Sequence, residues 1–247
     1  MSDPVFVIMP AYNAGATVER VFARVPDGAR RRIARYVVVD DGSTDDTAEV
    51  LRRIGRGFPA LTVLTHDRNR GYGAAEKTLL SFARREGAGA AILLHADGQY
   101  SPEKIPDLLD PLDRGEADIA QGSRMLEGGA LRGGMPVYKY AANKILTAIQ
   151  NRAFGMRLAE YHSGYMVYSR RILEEVPFER LSDSFDFDIE MLLCARVRGL
   201  RIREIAIPTI YAGEVSHVRP VRYGLDVLRI VRKYRKGFYH GLVGEAS

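Results

Sequence analysis

The N-terminal half of the chain alternates short apolar runs with segments of helical periodicity, and this rhythm limits the fold more than any other feature. Runs such as VFVIM and YVVVD are rich in β-branched residues, which strands favour. Predicted strands occupy residues 5–9, 36–40, 61–65, 90–97 and 117–122. Helical patterns at 16–25, 43–54 and 73–85 separate them, and another begins near Pro102. The alternation predicts an α/β fold: a doubly wound, mostly parallel sheet with helices on both faces.

The second half is less regular but contains the same two kinds of element. Helical patterns lie at 137–154 and 185–198, and predicted strands lie at 165–169 and 201–207. The length of 247 residues suits one large α/β domain with an appendage rather than several independent units.

Polar or glycine-rich segments follow the first five predicted strands. They read PAYN, DDGSTD, HDRNRGYG, HADGQ and QGSRM. In a doubly wound sheet, ligands bind beyond the carboxyl ends of the strands. We therefore expect these segments to converge on one edge of the sheet and to form a site for a charged small molecule.

Two adjacent aspartates, Asp40 and Asp41, end the second predicted strand. Carboxylates at this place can accept hydrogen bonds from a nucleotide base or from ribose hydroxyls. Helix capping by Asp41 and Ser43 is an alternative use of the same residues. The sequence leaves both uses open.

The segment HADGQ places a carboxylate and an amide two residues apart at the end of an apolar strand. Together with diphosphate oxygens and water, Asp97 and Gln99 would complete an oxygen-rich shell for Mg²⁺ or Mn²⁺. His95 lies two residues before Asp97, where it is either a further ligand or a structural hydrogen-bonding residue.

Several motifs of the chain form an ordered set: PAYN, VVDDGSTDDT, NRGYGAA, LLHADGQYSPE, QGSR, YHSGYMVYSR and FDFDIEMLLCARVRGLRIREIAIPTIY. Their order and spacing resemble those of family 2 glycosyltransferases with the GT-A fold. Within that family, the chain looks like the dolichol- or polyprenyl-phosphate sugar synthases, over residues 4–236.

This resemblance implies a hexosyltransferase that moves a sugar, with inversion, from a UDP- or GDP-linked donor, with Mg²⁺ or Mn²⁺ on the diphosphate. The implied donor-binding residues are Pro10, Ala11, Tyr12, Asp40, Asp41, Asp97 and Gln99. Asp97 and Gln99 are also the implied metal ligands. His95 replaces the first aspartate of the family's Asp-x-Asp motif, which leaves the metal to Asp97 and Gln99.

The resemblance also implies that the acceptor is a polyprenyl phosphate. Arg124 in QGSR resembles the arginine that meets the acceptor phosphate, so it is predicted to be catalytic together with Asp97. Arg132 and Lys139 are the further predicted phosphate partners. Relatives often carry a cationic residue where Met166 stands, so Lys139 is a candidate to replace that contact.

The nature of the acceptor decides whether a base is needed. A phosphate is already anionic near pH 7, so it needs cationic positioning and in-line geometry. A soluble hydroxyl acceptor, such as a glycan, a natural product or a protein, would need a general base. Asp188 and Glu190 in FDFDIE are the candidates, and Asp188 is predicted to be catalytic, with orientation of nearby loops as the alternative.

The basic surplus of the chain lies at its C-terminus. Residues 217–247 contain seven Lys/Arg and two Asp/Glu, which equals the whole net charge of +5. We therefore expect a glycosyltransferase domain at 1–216, with a nucleotide-sugar half at about 1–125 and an acceptor half at about 126–216, and a basic amphipathic tail at 217–247.

The tail has one apolar stripe and one basic face. The predicted stripe consists of Val221, Leu225, Leu228, Val231, Tyr234 and Phe238. Such a helix can lie in the headgroup region of an anionic membrane. The other interpretation is a helix packed on the domain with a solvated basic face.

Other classes of function fit less well. The charge-balanced body has no nucleic-acid-binding module, so no nucleic-acid partner is expected. The segment RGYGAAE lacks the dinucleotide-binding fingerprint. A nucleotidyltransferase and a non-catalytic sugar-nucleotide or membrane adaptor remain alternatives. The single cysteine, Cys194, and an N-terminus without a signal-peptide pattern predict a cytoplasmic protein, or one peripheral on the inner face of the membrane.

Overall fold

The computed structural model describes residues 3–208 and 220–244, with side chains from residue 226 onward in the second range. The described residues form one seven-stranded sheet whose order is β3-β2-β1-β4-β6-β5-β7. Its strands are β1 Val5–Ala11, β2 Ile33–Asp40, β3 Leu61–Thr65, β4 Ala90–Leu93, β5 Ile119–Ser123, β6 Met166–Ser169 and β7 Ile202–Ala206. Each predicted strand is therefore confirmed, although β4 ends four residues before Asp97.

Six of these strands are parallel, and β6 runs antiparallel between β4 and β5. The carboxyl ends of β1, β2, β3, β4 and β5 therefore meet at one edge of the sheet. The predicted mostly parallel sheet and the convergence of the five loops are both confirmed. Strand β4 is fully buried because its apolar side chains are covered on both faces.

Helices cover both faces of the sheet, as predicted. They are α1 Val18–Arg24, α2 Asp27–Arg30, α3 Thr47–Gly57, α4 Tyr72–Arg85, α5 Ile105–Asp113, α6 Gly129–Arg132, α7 Val137–Phe154, α8 Arg170–Glu175, α9 Phe187–Val197, α10 Pro220–Arg235 and α11 Phe238–Gly244. One apolar core lies between the sheet and α1, α3 and α5. The other core lies on the opposite face, against α4, α8 and α9.

The described part of the tail joins the second core. Ile230 and Val231 of α10 and Tyr239 of α11 are buried in it. The residues of the predicted apolar stripe differ in burial: Val231 faces the core, whereas Leu228 is 57% exposed and Phe238 is also exposed. The buried stripe of α10 instead runs through Val227, Ile230, Val231 and Tyr234, at the spacing of one helix face. The side chains of Val221 and Leu225 and the predicted boundary at 216–217 lie outside the described residues.

Candidate active site

The ends of β1 and β2 are tied directly together. The amide of Asp41 donates to the carbonyl of Ala11 at 2.8 Å. Asn13, which follows PAY, has a left-handed backbone with φ of 51°, a conformation that asparagine tolerates better than most residues. Its amide donates to Ser43 Oγ at 2.9 Å, and its Oδ1 accepts from the Thr44 amide at 2.8 Å. Sequence analysis missed this role of Asn13.

The two aspartates after β2 differ in their contacts. Asp40 Oδ1 accepts from the Ser43 amide at 2.9 Å, so this buried carboxylate shapes the turn that leads to α3. Asp41 Oδ1 lies 2.6 Å from His66 Nδ1 and accepts from the Arg70 amide at 3.0 Å, while Oδ2 accepts from the Gly71 amide at 3.0 Å. Asp41 therefore fastens the loop after β3 to the end of β2. A donor contact through Asp41 would add to these hydrogen bonds.

The remaining predicted donor residues lie at the end of β1. Ala11 is buried, Pro10 is partly buried and Tyr12 is half exposed. Pro10 pairs in register with Val39, and Ala11 pairs with Asp40. The structure thus brings PAY and the two aspartates to one place on the sheet edge, with Tyr12 as the exposed ring beside them.

Asp97 and Gln99 both have exposed side chains in the loop after β4. The Gln99 amide donates to Asp97 Oδ1 at 2.9 Å, so a local turn orients the carboxylate. Within the described residues, no group of three or more His, Cys, Asp or Glu side chains could hold a metal ion alone. Mg²⁺ typically uses one or two carboxylates and completes its shell with phosphate oxygens and water. The oxygens of Asp97 and Gln99 fit that donor set.

His95 turns toward a cluster of aromatic side chains. Its Nε2 lies 3.0 Å from the Tyr72 hydroxyl, and its ring packs edge-on against the rings of Tyr72 and Tyr100. Burial lowers the pKa of His95, while Asp97 raises it and Arg124 lowers it. The charges of Asp97 and Arg124 therefore both act on this imidazole.

Tyr72 connects His95 to a buried carboxyl group. The Tyr72 hydroxyl donates to Asp188 Oδ2 at 2.9 Å, and the Tyr168 hydroxyl donates to Asp188 Oδ1 at 3.1 Å. Burial raises the pKa of Asp188 to about 6. Burial, together with the charge of Asp188, also raises the pKa of Glu76 well above its usual range. Sequence analysis did not identify Tyr72 or Glu76, because the pairing depends on the approach of α4 to α9.

A close approach of the backbone completes this cluster. A Cβ atom on Gly164, just before β6, would lie 2.6 Å from the Tyr72 hydroxyl oxygen and 2.8 Å from His95 Nε2. The Gly164 amide also donates to the Tyr100 hydroxyl at 2.8 Å. A larger residue at this position would displace Tyr72 or His95, which favours the glycine in HSGY.

Arg124 follows β5 and is fixed by the fully buried Glu160. Its Nε donates to Glu160 Oε1 at 3.1 Å, its Nη2 also contacts that oxygen, and its amide donates to Oε2 at 2.9 Å. The same Nη2 donates to the His162 carbonyl at 2.6 Å. The guanidinium is therefore held in one orientation at the sheet edge. Burial and the charge of Arg124 lower the pKa of His162 to about 3, which keeps its imidazole neutral.

Glu160 itself is set by β7. The Glu204 carboxylate accepts from the Ala159 amide at 2.6 Å and from the Glu160 amide at 3.1 Å. Glu160 is a residue that sequence analysis missed, because nothing in the sequence separates this glutamate from a surface residue.

The other predicted phosphate partners lie nearby in the chain. Arg132 ends the short helix α6, where its exposed guanidinium donates to the Glu127 carbonyl. Lys139 lies in the first turn of α7 and is partly buried. Both cations therefore belong to the segment that follows Arg124.

Glu190 has a structural role. Its Oε1 accepts from Lys233 Nζ at 2.8 Å and from the Tyr239 hydroxyl at 2.7 Å, and its Oε2 accepts from the Ser182 amide at 2.7 Å. This buried carboxylate thus holds α10 and α11 against α9, and its oxygens are engaged by protein groups.

The fold and the site together define an enzyme of the GT-A class of glycosyltransferases. The family model described as Glycosyl transferase family 2 matches residues 6–177, and the chain belongs to this family.

Three relatives illustrate the range of this similarity. The protein MJ1222 of Methanocaldococcus jannaschii is 30% identical over 85% of this chain and 82% of its own length. A polyprenol monophosphomannose synthase of Mycolicibacterium smegmatis is 29% identical over 81% of this chain and 75% of its own length. A UDP-N-acetylglucosamine–dolichyl-phosphate N-acetylglucosaminyltransferase of Methanococcus voltae is 26% identical over 84% and 86%, respectively.

Among solved structures, the fold is similar to that of glucosyl-3-phosphoglycerate synthase from Mycobacterium tuberculosis. The complex of that enzyme with Mn²⁺, UDP and phosphoglyceric acid superposes with a TM-score of 0.69 at 19% identity, over 96% of this chain and 79% of that chain. This likeness concerns the fold.

Proposed function

We propose that this enzyme transfers a hexosyl unit, with inversion, from a UDP- or GDP-linked sugar to the phosphate of a polyprenyl phosphate, in the presence of Mg²⁺ or Mn²⁺. The choice of acceptor rests on one observation, the burial and hydrogen bonding of three side chains. Arg124 is fixed by Glu160 at the sheet edge, whereas both candidate bases, Asp188 and Glu190, are buried and engaged in hydrogen bonds.

A preset cation without an accessible base suits an acceptor that is already anionic. The guanidinium of Arg124 would hold the acceptor phosphate by charge-assisted hydrogen bonds. Arg132 and Lys139, on the following segment, would add positive charge around it. A hydroxyl acceptor would need Asp188 or Glu190 to take its proton, and their burial opposes that role.

The donor would bind across the ends of β1, β2 and β4. Tyr12 and the turn of Asp40 and Asp41 would contact the nucleoside, while Asp97 and Gln99, in the loop after β4, would contact the diphosphate. A divalent metal held by Asp97 and Gln99 would neutralise charge on the diphosphate.

In the reaction, an oxygen of the acceptor phosphate attacks the anomeric carbon from the side opposite the nucleoside diphosphate. The new carbon–oxygen bond forms as the bond to the diphosphate breaks, and the electron pair leaves with the diphosphate. No proton has to be removed, so positioning and electrostatics supply the catalysis. Arg124 orients the attacking oxygen in this scheme.

The names of two relatives support the acceptor class, because they describe transfer to polyprenol phosphate or dolichyl phosphate. We further propose that the enzyme works at the cytoplasmic face of a membrane, which it contacts peripherally through the C-terminal tail. None of the described helices is both long and apolar enough to cross a bilayer.

The test is an incubation with radiolabelled UDP- and GDP-sugars, a polyprenyl phosphate and Mg²⁺ or Mn²⁺. We expect a lipid-extractable radioactive product with at least one donor, lost with EDTA and reduced at least about 100-fold by Asp97→Asn. Asp110→Asn, an exposed carboxylate on α5, is the matched control and should keep full activity. Product formed on a soluble hydroxyl compound, with none in the lipid phase, would contradict the proposed acceptor.

A further inference from the structure

Helix α7 presents a broad apolar face to solvent. Within the described residues, its side chains Val137, Tyr138, Ile145 and Ile149 are 75%, 71%, 62% and 44% exposed. Tyr138, Ile145 and Ile149 recur at the spacing of one helix face. Residues of this size normally turn inward in a helix that only packs on its own domain. The face is therefore a candidate contact surface.

The apolar face continues into the neighbouring elements. Leu131 of α6, just before α7, is also exposed, and so is Leu228 of α10, which packs along α7. We call the set Leu131, Val137, Tyr138, Ile145 and Ile149 the α7 face. Several large apolar side chains exposed together on neighbouring elements favour an interaction site over ordinary surface.

Charge identifies the partner of the α7 face. Residues 128–159 contain five Lys/Arg and no Asp/Glu. Among them, Arg132, Lys144 and Arg152 have exposed side chains, with Lys144 directly before Ile145. Residues 227–244 of the packed tail add five Lys/Arg, of which Arg229 pairs with Asp226 and Lys233 with Glu190. An apolar stripe flanked by positively charged side chains matches an anionic lipid surface.

We infer that the α7 face docks on an anionic phospholipid bilayer. Tyr138, Ile145 and Ile149 enter the headgroup region, and Lys144 and Arg152 contact lipid phosphates. A second copy of the chain is the other candidate occupant, but like charges on both copies would oppose that contact.

This docking extends the proposed function. Its role in catalysis rests on that function, because a lipid acceptor has to be reached at the membrane. Arg132 and Lys139 lie within the same stretch of chain as the α7 face, between Leu131 and Ile145. Docking through α7 would therefore bring Arg132 and Lys139 to the lipid surface, where a polyprenyl phosphate presents its headgroup. The tail is then a second, flanking contact rather than the main one.

The test is flotation of the full-length chain with vesicles that lack polyprenyl phosphate. One vesicle type contains phosphatidylcholine with about 30% phosphatidylglycerol, and the other contains phosphatidylcholine alone. We expect binding to the anionic vesicles that weakens as salt rises. Ile145→Glu combined with Ile149→Glu should reduce the bound-to-free ratio at least about tenfold. Lys144→Ala should reduce it about fivefold.

Matched controls come from elsewhere on the domain. Val63→Glu adds one negative charge at an exposed apolar position on the edge strand β3, and Arg52→Ala removes an exposed cation from α3 on the opposite face of the sheet. Both should bind vesicles nearly as the unmodified chain does. Equal flotation of the double variant and the unmodified chain would overturn the docking. So would a dimer, seen by sedimentation velocity, that only the α7 substitutions dissociate.

A second measurement separates this inference from the proposed function. The double variant should transfer sugar to a short-chain, water-soluble polyprenyl phosphate at the unmodified rate, because neither Ile145 nor Ile149 is among the residues proposed to bind donor or acceptor. With acceptor embedded in anionic vesicles, its rate should fall with its binding. If neither the unmodified chain nor any variant transfers sugar, the proposed function is overturned. The vesicle-binding result would still stand.

Discussion

The Lys233 ammonium lies 2.8 Å from Oε1 of the buried Glu190, and this contact joins the basic C-terminal helix to α9. The Tyr239 hydroxyl of α11 donates to the same oxygen at 2.7 Å. A fully buried carboxylate requires such partners, because its desolvation would otherwise cost several kcal/mol. The tail is thus attached to the domain by a polar anchor as well as by its apolar stripe.

Replacing Lys233 by Met tests the anchor. The substitution keeps the apolar stem and removes the charge, so Glu190 stays buried without its cation. We expect the free energy of unfolding to fall by about 2 kcal/mol, measured as a shift of the urea midpoint at constant slope. Arg229→Met on the same helix is the control, because its pair with Asp226 is solvent-exposed, and it should change stability by no more than about 0.5 kcal/mol. Equal effects of the two substitutions would show that the anchor contributes nothing specific.

The buried carboxyl of Asp188 makes stability depend on pH. Its pKa is raised to about 6 by burial, against 3.8 for an ordinary aspartate. The protonated form is therefore favoured in the folded state. Its stabilising contribution is fully present below the ordinary pKa and is lost as pH rises through about 6. The raised pKa of Glu76 acts in the same direction.

Asp188→Asn removes this titration. We expect the stability advantage of the unmodified chain over the variant to shrink by about 2 kcal/mol between roughly pH 4 and pH 7. Urea unfolding of both proteins across this range measures the difference, which includes the change that the substitution causes in the titration of Glu76. Parallel stability curves would contradict the raised pKa.

The sequence predicted the strands and the converging loops because both depend on local pattern. Apolar runs and polar loops are visible without knowledge of strand order. Such patterns could not predict the position of β6 in the sheet, because its antiparallel insertion between β4 and β5 depends on where α7 returns the chain. The early end of β4 has a similar cause: its neighbour β6 pairs only as far as Ile92.

The sequence predicted the individual residues of the site better than the contacts between them. Asp97, Gln99 and Arg124 could be selected because their motifs have a fixed order. The partner of Arg124 could not be selected, since Glu160 is distant in sequence and meets it only after β5 and the segment before β6 come together. The packing of α10 could not be assigned from the sequence, because Val227 and Leu228 are apolar neighbours and only the contact with α7 shows that Val227 turns inward.

Gly164 tests the contact between His95 and Tyr72. In Gly164→Ala, the added Cβ would meet both side chains at less than 3 Å, so one of them must move. We expect a loss of about 1–3 kcal/mol of stability and a lower transfer rate, because His95 precedes the loop that carries Asp97. Gly57→Ala, at a site where a Cβ meets no atom within 4 Å, should leave both properties unchanged. An unchanged melting temperature and rate for Gly164→Ala would mean that the cluster accommodates a methyl group without consequence.

Arg124 gives the most direct test of the acceptor site. Glu160 and the His162 carbonyl fix a planar guanidinium, and an ammonium cannot reproduce its two-pronged geometry. Arg124→Lys should therefore lower kcat with polyprenyl phosphate at least about 100-fold, while the thermal shift produced by the nucleotide sugar stays the same. Arg203→Lys, an exposed arginine on the neighbouring strand β7, should leave kcat unchanged. Glu160→Gln should lower kcat with a smaller effect on KM, because it loosens the orientation of Arg124 and leaves its charge in place. If Arg124→Lys instead weakened only the binding of the nucleotide sugar, the arginine would belong to the donor site, and the acceptor phosphate would have to be held by other cations.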